Sequence, residues 1–205
     1  LKNMTTPRMS TETLTFPMRS WKAWKDRDVT LLKCIGIDPG LGRLGFASVS
    51  REGAVFRALS YGCIETPAGA PLPLRLGMLY ERIGEQIELC SPDFMSVEKL
   101  FFGRNITTAE YVWQARGVIL LLAGRSGLPV VEPKPSQVKL AVCGSGTAPK
   151  EQVQKMVSRI MNLDRLPKPD DAADALAAAV AGFFLFAESR RTIMAGGADA
   201  AFSFR

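Results

Sequence analysis

The chain contains no histidine, and that absence removes more chemistry than any other feature of the sequence. Ser-His-Asp and Cys-His catalysis are excluded, and a zinc site of the usual Cys/His kind lacks its ligands. The four cysteines, Cys34, Cys63, Cys90 and Cys143, lie far apart and form no CxxC pair. They read as reduced, buried thiols in a cytosol-like compartment. Long hydrophobic runs are also missing. "GVILLLAG" (117–124) and "ALAAAVAGFFLFA" (175–187) fall short of the roughly 18 residues a membrane span needs, so both are expected to be buried helices and no membrane partner is expected. Any catalysis must come from carboxylates, lysines, hydroxyls or a metal.

What is present fits one well-buried domain with some surplus: 205 residues, 47% hydrophobic and 22% charged. A net charge of +6 points to an anionic partner, of which nucleic acid is the commonest. Residues 1–31 form a basic leader without a sustained apolar period, with Glu12 the single acid among the first 25. The leader has no signal-peptide core; an organellar transit peptide and a vector-derived or over-extended start both remain open readings. The domain is expected over 32–188, and 189–205 reads as a flexible tail.

Between these ends the pattern alternates. "LLKCIGID" predicts a buried strand ended by Pro39 and Gly40. "LGFASVS" and "AVFRALSYGCIE", separated by Glu52 and Gly53, predict a hairpin. Leu76, Leu79, Tyr80, Ile83 and Ile87 recur at helical spacing. "DFMSVE" is a fourth strand, "TTAE" (107–110) has capping-box spacing for a helix reaching about Gly124, and "LPVVE" is a fifth strand. Three helices follow, one in "SQVKLAVC", one with Val153, Met156, Val157 and Ile160 on a face, and one opening at "PDDAADALAAAV" (169–180). The order argues for a mixed five-stranded α/β sheet flanked by helices on both faces.

Four acids fall at special places on that layout. Asp38 ends the first strand, Glu98 ends the fourth, and Asp171 and Asp174 open the last helix. Each has an ordinary alternative: Asp-Pro starts turns, a strand end is solvated, and an acid suits a helix N-terminus. If strands one and four are neighbours, all four acids converge outside the carboxyl ends of parallel strands. Such a cluster is repulsive without cations, and a hard, oxygen-loving ion such as Mg²⁺ would resolve it. Two such ions suit phosphodiester cleavage. Asp170 reads as a cap or first-turn dipole partner.

The chain also resembles the RuvC family of Holliday-junction endonucleases, whose fold is RNase H-like. The matching pieces run in order: "GIDPG" (36–40), "GCIET" (62–66), "LPLRLGMLYERI" (72–83), "PDFMSVEKLFFGRNITTA" (92–109), "QARGV" (114–118), "LPVVEPKPSQVKLAVCGSGTAPKEQVQKMV" (128–157) and "PDDAADALA" (169–177). The resemblance covers about residues 32–187. It implies that Asp38, Glu98, Asp171 and Asp174 are the metal-binding and catalytic acids, with Asp38 bridging two Mg²⁺ ions, Glu98 on one and the helix acids on the other; Mn²⁺ is expected to substitute. Some family members have histidine at the position of Asp171, so the site here is all-carboxylate. The resemblance further implies DNA contacts by Phe101, with Phe102 as a helper, and by Arg104, Lys139 and Lys150.

The implied activity is resolution of four-way DNA junctions by paired symmetrical nicks, leaving 5′-phosphate and 3′-hydroxyl ends. Two symmetric cuts imply a homodimer, with "TTAEYVWQARGVILLLAG" resembling the family's dimer helix. A branch-migration motor of the RuvA/RuvB type is the implied partner, and the bacterial cytoplasm the implied location. The alternatives are an RNase H-like nuclease acting on another branched or hybrid substrate, and a junction-binding module without cleavage. A sugar-kinase-like ATPase would require a second lobe for which 205 residues leave no room.

Overall fold

A computed structural model describes residues 30–100 and 106–194. Five strands, β1 (Leu31–Asp38), β2 (Arg43–Glu52), β3 (Val55–Glu65), β4 (Phe94–Val97) and β5 (Val130–Val131), form one sheet in the order β3-β2-β1-β4-β5. Helices α1 (Leu72–Cys90), α2 (Ile106–Arg125), α3 (Pro135–Cys143), α4 (Lys150–Ile160) and α5 (Asp170–Met194) cover its two faces. This is the mixed, helix-flanked RNase H-like architecture the sequence implies.

β1 is central because it can be buried on both sides: Cys34 to Ile37 are all buried, as a near-continuous apolar strand requires. It runs antiparallel to β2, from Leu31↔Glu52 to Asp38↔Gly45, and parallel to β4, from Cys34↔Phe94 to Ile37↔Val97. Alternate side chains serve opposite faces. Cys34, Ala47, Val49 and Phe94 meet α5, α3 and α4, while Ile35, Ile37, Leu44, Met95 and Val97 meet α1 and α2. The β2–β3 hairpin closes at Gly53, whose φ of +58° favours glycine.

One contact sets the position of the site. α5 lies so close to the sheet that a Cβ on Gly36 would sit 2.3 Å from the Ala175 carbonyl oxygen, and one on Gly45 2.0 Å from that of Asp171. The alanines at 172, 173, 175 and 177–179 are buried against the strands. The Ser96 hydroxyl donates to the Ala178 carbonyl at 2.7 Å. Phe94 stacks on Phe186 with ring centroids 4.2 Å apart, holding the far end of the helix.

Several expectations need correction. α5 has 25 residues and, unlike the short apolar runs read from sequence, is long and apolar enough by length and composition to cross a membrane. Two-thirds of its apolar window is buried against the sheet, which makes it the core helix of this fold. It also continues to Met194, into the stretch read as tail from 189. β5 is two residues long, bracketed by Pro129 and Pro133, which lack the N–H a strand needs. α2 is under way by Ile106, so Thr107 lies inside the helix rather than capping it. Cys34 and Cys90 are buried free thiols, whereas Cys63 and Cys143 are partly exposed. The leader up to residue 29, the residues after 194, and Phe101, Phe102 and Arg104 lie outside the described residues.

Candidate active site

Asp38 is the last residue of β1, and the turn after it is pinned from the hairpin. The Thr66 N–H donates to the Gly42 carbonyl at 3.0 Å, and its hydroxyl to the Leu41 carbonyl at 2.6 Å. Arg75 Nε in turn donates to the Thr66 hydroxyl at 2.8 Å. Thr66 closes the "GCIET" stretch, so that motif fixes the loop behind Asp38. Gly40 is required in the same turn, because a Cβ there would lie 2.1 Å from the Arg43 carbonyl oxygen.

Glu98 follows β4 directly. Its N–H donates to the Ile37 carbonyl at 3.1 Å, which ties it beside Asp38 across the parallel pair. Asp171 and Asp174 stand on the first turns of α5, brought over the strand ends by the close approach at Gly45. Asp170 is exposed in the same first turn, and Lys150 Nζ lies 3.6 Å from it.

The electrostatics confirm convergence. Burial, and then the charges of Glu98, Asp174 and Asp171, push Asp38 up from 3.8 to about 7, with Lys150 opposing. Burial and Asp174 push Glu98 up from 4.5 to about 7, opposed by Lys139 and Lys150. These acids therefore feel one another through a partly buried region. Lys139 on α3 and Lys150 at the start of α4 are drawn into the same neighbourhood. Asp38, Glu98, Asp171, Asp174, Lys139 and Lys150 are thus brought together.

The helix acids are partnered by cations. Arg43 Nη2 lies 2.5 Å from Asp171 Oδ2, and Lys150 Nζ 2.9 Å from Asp174 Oδ2. As these side chains lie, no three acids among the described residues form a closed metal-ligand group. The donor set nevertheless suits a hard divalent ion: it is all oxygen, it converges, and burial first and neighbouring negative charge second raise Asp38 and Glu98.

Sequence reasoning missed Arg43, and with it Cys63, whose thiol lies beside the Arg43 guanidinium near Asp171. The register Gly45↔Cys63 and the glycine facing Asp171 are the features that bring them there. "QARGV" has a structural role. Its buried Arg116 pairs with Glu132 at the end of β5 and lies 5.7 Å from the Trp113 ring, locking α2 to the sheet edge.

An RNase H-like sheet with carboxylates gathered at the carboxyl ends of its central parallel strands defines a nuclease of that class. The family model for "Crossover junction endodeoxyribonuclease RuvC" matches residues 34–182. Crossover junction endodeoxyribonuclease RuvC of Brevibacillus brevis is 50% identical over 149 residues, covering 73% of this chain and 90% of that protein. The Moorella thermoacetica protein of the same name is 53% identical over 146 residues, with 71% and 87% covered. The solved structure of Thermus thermophilus RuvC in complex with a Holliday junction substrate superposes with a TM-score of 0.71 at 34% identity, covering 77% of this chain and 96% of that one. The chain belongs to the RuvC family of metal-dependent crossover junction endodeoxyribonucleases.

Proposed function

We propose that this protein resolves four-way DNA junctions by paired, symmetrical nicks, with Asp38, Glu98, Asp171 and Asp174 as its metal-binding and catalytic carboxylates. The observation that carries the reading is the gathering of Asp38, Glu98 and the acids opening α5 over the ends of the parallel strands β1 and β4, where burial and then mutual charge raise Asp38 and Glu98 to about 7. Two Mg²⁺ ions per subunit would be held by these four side chains, with Mn²⁺ able to substitute. Held there, such ions would supply the acidity that turns water into a nucleophile and the positive charge that offsets the transition state.

The chain's own groups do the rest. Thr66 and Arg75 hold the turn behind Asp38, so that carboxylate is set in place for an ion without reorganising. Lys139 and Lys150 lower the repulsion at Glu98 and offer positive charge to the backbone phosphates. Phe101, helped by Phe102, stacks on bases at the junction centre and Arg104 meets a phosphate; these three rest on the family positions alone. In-line displacement leaves 5′-phosphate and 3′-hydroxyl ends that a ligase can seal.

Paired cutting requires two sites, and a homodimer supplies them. The outer side of α2 supports this, with Leu121 56% and Trp113 36% exposed on an otherwise apolar helix. The Thermus thermophilus relative was solved on a Holliday junction substrate, which supports the substrate proposed here. A branch-migration motor of the RuvA/RuvB type fits a junction-cutting enzyme as partner. The relatives are bacterial, which favours the cytoplasm and gives organellar import no support. The nuclease unit is taken as 32–188, with α5 running on to Met194.

An electrophoretic binding assay paired with cleavage tests the assignment. Asp38→Asn is expected to bind an immobile junction as tightly as wild type while cutting at least about a thousandfold more slowly, since several kcal/mol of transition-state stabilisation is lost. Full activity in that variant would remove the carboxylate assignment. Phe101→Ala is expected to bind but cut slowly; wild-type rates there would remove the stacking role.

A further inference from the structure

Arg43 makes the shortest cation contact in the acidic site, 2.5 Å to Asp171, from a position no motif marks. It is the first residue of β2, two before Gly45, so both residues address the same face of the sheet. That face is where the backbone of Asp171 comes closest to the strand. The pairing therefore follows from the docking of α5 and needs no adjustment of the helix. Cys63, opposite Gly45 on β3, lies beside the same guanidinium.

Two ion pairs of this protein have different characters. Arg116 is 8% exposed and its pair with Glu132 is built into the packing of α2 on the sheet edge. The Arg43 side chain is 49% exposed and its partner 24%. A pair open to water is weak and readily exchanged. Asp171 is also one of the four carboxylates assigned to metal, so a divalent ion approaching it meets a resident positive charge at close range.

We propose that Arg43 is a built-in counter-ion that competes with a divalent cation for Asp171 and so sets the metal concentration at which that carboxylate is recruited. The inference rests on the metal reading of the site given above. While the site is metal-free, the guanidinium offsets one charge of the acidic cluster and holds Asp171 turned away from Asp38 and Glu98. When an ion binds, Asp171 turns inward and the guanidinium is released at the rim of the site. Arg43 is thus a positioning residue, acting on the reaction through Asp171. Lys150 differs, because Asp170 remains beside it as a second partner when Asp174 turns.

The test is Mn²⁺ titration of metal-free protein without DNA, read by the free-ion electron paramagnetic resonance signal, for wild type, Arg43→Gln, Arg43→Lys and Asp171→Asn. Arg43→Gln is expected to bind Mn²⁺ about two- to fivefold more tightly, in line with the strength of a water-exposed pair. Arg43→Lys, which keeps the charge, is expected to bind like wild type. The melting temperature of Arg43→Gln should fall in the metal-free state and match wild type at saturating Mn²⁺, a difference that loss of an ordinary structural contact would not produce. Unchanged or weaker Mn²⁺ binding by Arg43→Gln, or a lowered melting temperature in both states, would overturn the proposal. Wild-type protein that binds no Mn²⁺, or binds it equally well after Asp171→Asn, would overturn the metal reading itself.

Discussion

Asp38 and Glu98 hold protons in the folded, metal-free protein at pH values where the unfolded chain has released them, because both are raised to about 7 from 3.8 and 4.5. Between about pH 4 and pH 7 the native state binds more protons than the unfolded one, so stability falls as pH rises through that window. The metal-free melting temperature is therefore expected to drop between pH 5 and pH 8, and to drop less in Asp38→Asn. Added Mg²⁺ should restore more stability at pH 8 than at pH 5. Thermal melts with and without chelator measure both effects, and equal pH slopes in wild type and variant would count against the coupling. Arg116 makes a separate case. Arg116→Met leaves Glu132 without its partner and is expected to cost about 2 kcal/mol in urea denaturation, less than for a fully buried pair because Glu132 is 34% exposed.

Among the elements, α5 governs the site because its first two turns carry two of the four acids and its body rests on glycines of the sheet. Gly36→Ala places a methyl group against the Ala175 carbonyl and is expected to cost at least about 2 kcal/mol while lowering cleavage, since the helix start must shift. Gly84→Ala in α1 meets open space and should instead stabilise by about 0.5–1 kcal/mol without affecting cleavage. Opposite signs in parallel denaturation curves are the expected result. These elements were legible to different degrees. Strand ends at Asp38 and Glu98 are written locally, in "DPG" and in the acid closing "DFMSVE", and the hairpin in Glu52 and Gly53. The length of β5 was not legible, because flanking prolines and edge position cut it to two residues. The Arg43–Asp171 pair was invisible for a different reason: it joins residues 128 apart through a β2–β3 register and a glycine contact that only the folded sheet defines.

For the molecule as a whole, the +6 charge, the acidic cluster and the apolar outer side of α2 belong to one activity. On the proposed reading, positive charge would gather the junction, the carboxylates would cut it, and a second copy would double the cut. Leu121→Glu places a charge on the exposed side of α2, away from the buried Ile119, Leu122 and Ala123, so the fold should persist. Sedimentation is expected to show monomer, and junctions should receive single, uncoupled nicks in place of paired ones; a dimer with paired cutting would move the interface elsewhere. Structure-specific, carboxylate-dependent cleavage is the activity to be tested. The most direct measurement incubates an immobile four-way junction and a linear duplex of the same sequence with protein and Mg²⁺. Symmetric nicks in opposing strands of the junction, an intact duplex and no nicking by Asp38→Asn are expected; equal cutting of duplex and junction, or cutting by that variant, would overturn structure-specific, carboxylate-dependent cleavage.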